Sequence, residues 1–196
     1  PKKSFSEYGE DLILDSFFKK IKVKKGFYID IGAFHPTFIS NTFLFHKKGW
    51  NGVCIDIDES KLFWFRIFRG KKVELRFGAV APNSAEKNQK ITVYKHFRLF
   101  SAIDTLDRET AERHRIENGS NYYSTLVPSI NINDLLKDYK EIDLINLDVE
   151  GIDTQILFDI DLEKYFPKVI LFEDNLTFGG SKKIREHLEK FGYERL

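Results

Sequence analysis

Apolar runs of strand length alternate with segments of helical period along this chain. In residues 5–22, Leu12, Ile13, Phe17, Phe18 and Ile21 recur at helical spacing. They predict an amphipathic helix with Ser6 as its cap and Gly26 ending the unit. Residues 27–31 read as a short buried strand, 40–48 as a helix closed by Gly49, and 53–57 as a second strand. An aromatic-rich helix over 60–68 and a third strand over 73–77 follow. Fourth and fifth strands are expected at 143–149 and 168–173, then a helix at 181–190 ending at Gly192, and a last strand from Tyr193 onward. Strands alternating with helices predict an α/β fold, a mostly parallel sheet with helices on both faces. The region from about 81 to 127 breaks the rhythm. It is polar, with one helical run near 107–117, and is expected to be a lid, a binding insertion or a poorly ordered segment.

Composition narrows this picture. The 196 residues fit a single domain, and 42% hydrophobic against 31% charged residues describes a folded globular chain. A net charge of +1 gives no reason to expect a nucleic-acid partner. No apolar stretch approaches the roughly 20 residues that span a bilayer. With no signal peptide evident and one cysteine, Cys54, in an apolar run, a cytoplasmic setting and a core role for Cys54 are expected. Pro1 as first residue and the absence of Met suggest one domain of a larger chain.

The candidate chemistry lies at the carboxyl ends of the strands. The first strand runs into Asp30-Ile31-Gly32-Ala33-Phe34-His35-Pro36. An acidic strand end, a glycine and a loop leading to a helix near Ser40-Asn41-Thr42 are how doubly wound folds bind nucleotide-like ligands. A single glycine argues against a dinucleotide's pyrophosphate and suits a ligand carrying an amino acid, whose ammonium Asp30 could attract. Asp56, 26 residues after Asp30 at the end of the second strand, is placed to grip ribose hydroxyls, with Ile57 beside it. Small residues at Gly78-Ala79-Val80 could pack on an adenine ring. The fourth strand ends in Asp148-Val149-Glu150-Gly151 and the fifth in Glu173-Asp174-Asn175. Carboxylates gathered in this way suit general-base work or a divalent cation.

These motifs together resemble the FkbM family of methyltransferases. The likeness starts at Ser6-Glu7-Tyr8-Gly9-Glu10-Asp11, where Glu7 stands in place of the usual Gln. It continues through residues 27–36, Ser40-Asn41-Thr42, Gly49-Trp50-Asn51-Gly52, Ile132-Asn133-Asp134-Leu135-Leu136, residues 143–151, and residues 166–170 leading to Glu173. The resemblance implies a Rossmann-like class I fold. It also implies methyl transfer from S-adenosylmethionine to a hydroxyl of a sugar, glycan or related natural product. Because the chain stops just after Tyr193, the last antiparallel strand of the usual sheet is expected to be absent.

On that basis the cofactor set is Asp30, Gly32, Ala33, Phe34, Ser40, Asn41, Asp56, Ile57, Ala79 and Asp148, and the candidate bases are Asp148, Glu150, His35 and Glu173. Asp148 with Asp174 and Asn175 also resembles the metal set of catechol O-methyltransferase-type enzymes, which makes magnesium a candidate second cofactor. Phe97, Phe100, Arg113, Tyr122 and Tyr123 are candidate acceptor contacts. The rival reading is a non-catalytic module with a methyltransferase-like fold that holds a nucleotide-type ligand or scaffolds a larger enzyme.

Overall fold

The computed structural model describes residues 3–83, 89–97, 100–173 and 180–196. In chain order its elements are α1 (Glu10–Lys20), β1 (Phe27–Ile31), α2 (Phe43–Lys47), β2 (Asn51–Asp56), α3 (Glu59–Arg69), β3 (Val73–Phe77), β4 (Ala79–Ala81), β5 (Lys90–His96), α4 (Arg108–Asn118), β6 (Tyr122–Asn131), α5 (Ile132–Leu136), β7 (Leu144–Leu147), α6 (Asp153–Asp159), β8 (Val169–Phe172) and α7 (Gly180–Lys190).

One parallel sheet has the order β3-β2-β1-β7-β8, with β2, β1 and β7 buried at its centre and β3 and β8 half-buried at its edges. The β1–β2 register sets Asp30 beside Cys54, and the β2–β3 register sets Asp56 beside Phe77. Continuous apolar runs such as Tyr28-Ile29 and Val53-Cys54-Ile55 are what such strands require, since helices cover both faces. The order reverses at β1, as in doubly wound folds. The abundant phenylalanines account for the core here. Phe18, Phe45, Trp50 and Phe65 pack with Leu14, Tyr28, Cys54 and Leu144, and the Phe18 and Phe45 rings lie 4.9 and 4.8 Å from Trp50. Gly52 is needed because a Cβ there would sit 2.5 Å from the Tyr28 ring. Cys54 is buried and free, a small core residue.

Two local expectations change. The first helix begins at Glu10, not near residue 5, and Gly9 is its N-cap in a left-handed conformation. Ser6 still serves the helix from outside it: its Oγ accepts the Asp11 N–H, while the Asp11 carboxylate accepts from Ser4, Phe5 and Ser6. Its inward face is Asp11, Leu14, Asp15 and Phe18, so Ile13 and Ile21 face outward. The strand expected from Tyr193 does not form, and residues 193–196 carry no regular structure.

The region from 81 to 127, where the alternation of strand and helix breaks, is regular where it is described. It carries β5, α4 and the start of β6, in a second sheet ordered β4-β6-β5. β5 pairs antiparallel with β6 from Lys90 opposite Pro128 to His96 opposite Tyr122. The helical run foreseen at 107–117 is α4, with Asp107 as N-cap accepting the Thr110 N–H at 2.8 Å. The described chain divides into two compact units that interleave in sequence. One comprises 1–77, 141–146 and 167–171, and the other 78–140, 147–166 and 172–196. No helix among the described residues is long and apolar enough to cross a membrane.

Candidate functional site

Among the described residues each unit holds a polar centre at the carboxyl end of its strands. In the first, β1 delivers Asp30 to the start of the loop that leads to α2. That loop is tightly specified: Gly32, Phe34 and Ile39 have positive φ, costly for a β-branched residue such as Ile39. Its conformation is held by a buried guanidinium from the end of α3. Arg69 donates from Nε to the Pro36 carbonyl at 2.8 Å, from Nη2 to Ser40 Oγ at 2.7 Å, and from Nη1 to Thr42 Oγ1 at 2.8 Å and the Tyr28 hydroxyl at 3.2 Å. The same group lies 3.8 Å from Asp30 Oδ2 and 4.7 Å from the centre of the Phe65 ring.

Asp30 is 2% exposed, and both its oxygens have partners. Thr42 Oγ1 donates to Oδ2, and Asn146 Nδ2 of β7 donates to Oδ1 at 2.9 Å. Asn41 Nδ2 in turn donates to Asn146 Oδ1 at 3.0 Å. Burial pushes the Asp30 carboxyl up, against the opposing pull of Arg69 and its hydrogen bonds. The structure therefore brings Asp30, Ser40 and Asn41 together as the frame of the loop. The Gly32 and Ala33 N–H groups both donate to the Ile55 carbonyl at 3.0 Å, which ties the turn to β2.

Asp56 closes this centre. Its carboxylate accepts the Phe34 N–H at 3.0 Å and the Asp58 N–H at 2.8 Å, with Lys61 Nζ at 3.5 Å. Ile57 follows it, half-buried, at the exit of β2. His35 turns inward on its own loop, its Nδ1 accepting the Thr37 and Phe38 N–H groups at 3.2 and 3.1 Å. Burial, with Arg69 nearby, lowers its pKa, so the ring is neutral at neutral pH. Ala33 is buried; Ala79, in the second unit, is buried in β4, which pairs with β6.

The second unit holds the acidic centre. Asp148, directly after β7, meets Glu150 and Glu173, and one carboxylate oxygen of each lies within 4.8 Å of the others. Glu150 and Gly151 make the turn, with φ of +52 and +99. A Cβ on Gly151 would lie 2.6 Å from Thr110 Oγ1, so α4 packs directly on this turn. Thr105 Oγ1 donates to the Glu150 carbonyl at 2.5 Å, and His114 Nε2 of α4 lies 3.7 Å from Glu150 Oε2. Burial first, then the charges of Asp148, Glu173 and Asp153, push the Glu150 carboxyl up to about 8; Arg113 opposes them. Asp153, 1% exposed at the start of α6, accepts the Val149 N–H at 3.1 Å, and burial pushes it up to about 6. The expected partners Asp174 and Asn175 lie outside the described residues.

Three of the four expected bases thus converge, and His35 stands in the other unit. Sequence reasoning missed Arg69, Lys61, Asn146 and Asp153. The signal was present: Lys61 and Arg69 share the inward face of α3 with Leu62 and Phe65, and Asn146 interrupts an apolar strand. Polar groups at core positions need partners, and these partners are the loop residues.

A parallel sheet reversing at β1, a one-glycine loop framed by Asp30, and an acidic β2 terminus define a Rossmann-like fold of the methyltransferase kind. The methyltransferase FkbM domain family matches residues 30–195, and the chain belongs to that family. No curated protein and no solved structure matches it.

Proposed function

We propose that the protein transfers a methyl group from S-adenosylmethionine to a hydroxyl oxygen of a sugar, glycan or related natural product. The observation that carries this reading is the convergence of Asp148, Glu150 and Glu173 in a chain of this family. In the proposed step an oxygen–carbon bond forms as the sulfur–carbon bond breaks. S-adenosylhomocysteine leaves, and the hydroxyl proton passes to Glu150. The sulfonium is already activated, so the protein's part is to orient the acceptor and accept that proton. Burial first, then the charges of Asp148 and Glu173, keep Glu150 basic enough for the task.

Cofactor binding is assigned to the loop after β1. Gly32, Ala33 and Phe34 offer a backbone that Arg69, Asp30, Ser40 and Asn41 hold in one shape. Asp56 is assigned to the ribose, Ile57 and Ala79 to the adenine, and Asp148 to the methionine end. A glycan acceptor is supported by Phe97 and Tyr123, both exposed, with rings 5.0 Å apart, a surface on which sugar rings stack. The reading includes a cytoplasmic setting and no nucleic-acid partner, both resting on composition.

The carboxylate geometry favours one further role for the acidic centre. Three hard oxygen ligands at this spacing fit a divalent cation such as magnesium, which would lower the pKa of a bound hydroxyl. EDTA separates the two roles: unchanged turnover assigns the centre to proton transfer alone. Calorimetry with S-adenosylmethionine and with NAD tests the reading as a whole. Binding of the first and not the second is expected, and NAD binding alone would overturn it. Cofactor binding without transfer to any acceptor would favour a non-catalytic module.

A further inference from the structure

We propose that this chain forms a two-fold symmetric homodimer by antiparallel pairing of β3 with the β3 of a second copy. The observations lie wholly in the first unit and are independent of the methyl-transfer reading. β3 is the outermost strand of the parallel sheet, and β2 is its neighbour. Among the described strands none pairs with its outer side. Such an edge presents a row of backbone donors and acceptors that natural proteins blunt or use. β3 has no proline and no bulge to blunt it.

Its sequence is self-complementary. Val73-Glu74-Leu75-Arg76-Phe77 reads as apolar, acidic, apolar, basic, apolar about Leu75. In an antiparallel register centred on Leu75, Glu74 of each copy faces Arg76 of the other, and Val73 meets Phe77. Opposite charges directly across a strand pair stabilise it, whereas like charges oppose it. A parallel in-register pairing would set Glu74 on Glu74 and Arg76 on Arg76, so the charge pattern selects the two-fold arrangement. Within one chain Arg76 Nε donates to Glu74 Oε1 at 2.7 Å, so the two charges already lie together on one face of the strand.

A two-fold axis perpendicular to the sheet leaves both α3 helices on the same face, side by side. This helix buries Leu62, Phe65 and Arg69 against its own sheet and still exposes Phe63, Trp64, Ile67 and Phe68. Phe63 is 60% exposed and Phe68 53%. Single exposed apolar residues are ordinary, but four on one short helix form the contiguous patch that marks an interaction surface. A second copy of the same helix offers a matching apolar strip, as a self-complementary two-fold interface requires.

Sedimentation velocity and light scattering on the whole chain test the proposal. The wild type is expected to be dimeric at micromolar concentration. Arg76→Glu sets acidic groups opposite one another and Glu74→Arg sets basic groups opposite one another, so each should weaken the dimer at least 10-fold. The double exchange Glu74→Arg with Arg76→Glu restores the pattern and should restore the dimer. Trp64→Asp should weaken it through the helix strip, with circular dichroism confirming that every variant is folded. A monomeric wild type would overturn the proposal, as would a dimer that both single exchanges leave intact.

Discussion

Arg69 is a charge buried at the end of a helix, with Nε, Nη1 and Nη2 each donating to residues of the loop after β1. Removing one member of a buried ion pair strands the other, at a cost of about 3–5 kcal/mol. Arg69→Met should therefore destabilise the fold by that order, since Asp30 would be left without its cation. The double change with Asp30→Asn should recover part of the loss. Urea unfolding of the two variants checks this, and an Arg69→Met chain as stable as wild type would refute the role. Glu150 is the opposite case, an acid kept near charges of its own sign. Its pKa is raised from 4.5 to about 8, so the native state holds a proton that the unfolded state releases between those values. Stability therefore falls as pH rises through that window. Glu150→Gln should flatten this dependence and be more stable than wild type at pH 9, read by thermal unfolding across pH.

At the scale of elements, turns and caps decide where side chains land. Gly151 has φ of +99 and no room for a Cβ beside Thr110. Gly151→Ala should cost on the order of 1–3 kcal/mol through backbone strain and contact. Thr110→Ala should relieve only the contact part, a distinction chemical denaturation can read. Asp58 caps α3 by accepting the Ser60 N–H at 2.9 Å, and Asp58→Ala should cost about 1 kcal/mol. The elements of the parallel sheet were legible because long apolar runs leave little choice of period. β3 was placed at its observed bounds. β4, β5 and β6 were not legible. β5 and β6 are half-exposed and mix polar with apolar residues, β4 is only three buried residues long, and all three take their stability from a long-range pairing that no local pattern announces. The first helix differs in phase from its apolar pattern because Ile13 and Ile21 fit a helical stripe, while the inward face includes Asp11 and Asp15.

At the scale of the whole molecule, the family and the parallel-sheet fold were readable from ordered motifs, and the match over residues 30–195 agrees. The carboxylates of the acidic centre were readable by type and position. Their environment was not, because the walls around Glu150 come from α4, far away in sequence. Likewise Asp30, Ser40 and Asn41 were legible as site residues, yet their partner Arg69 comes from a different helix. A ligand that binds the native chain alone raises its stability by about 2.7 kcal/mol at one hundred times its dissociation constant. For a chain of this size, S-adenosylmethionine at that level should raise the unfolding midpoint by roughly 5–10 °C. NAD should leave it unchanged.

Hydroxyl methylation with Glu150 as the proton acceptor makes a product and a pH profile that can both be read. The most direct test is a mass-spectrometric screen of monosaccharides and glycans incubated with the protein and S-adenosylmethionine, with kcat/KM then followed against pH for the best acceptor. The product should be heavier by one methyl group, and the rate should rise with pH through about 8 as Glu150 ionises. Glu150→Gln should lose that rise and about 10²–10⁴-fold of the rate. A Glu150→Gln chain that methylates at the wild-type rate with the same pH profile would contradict it.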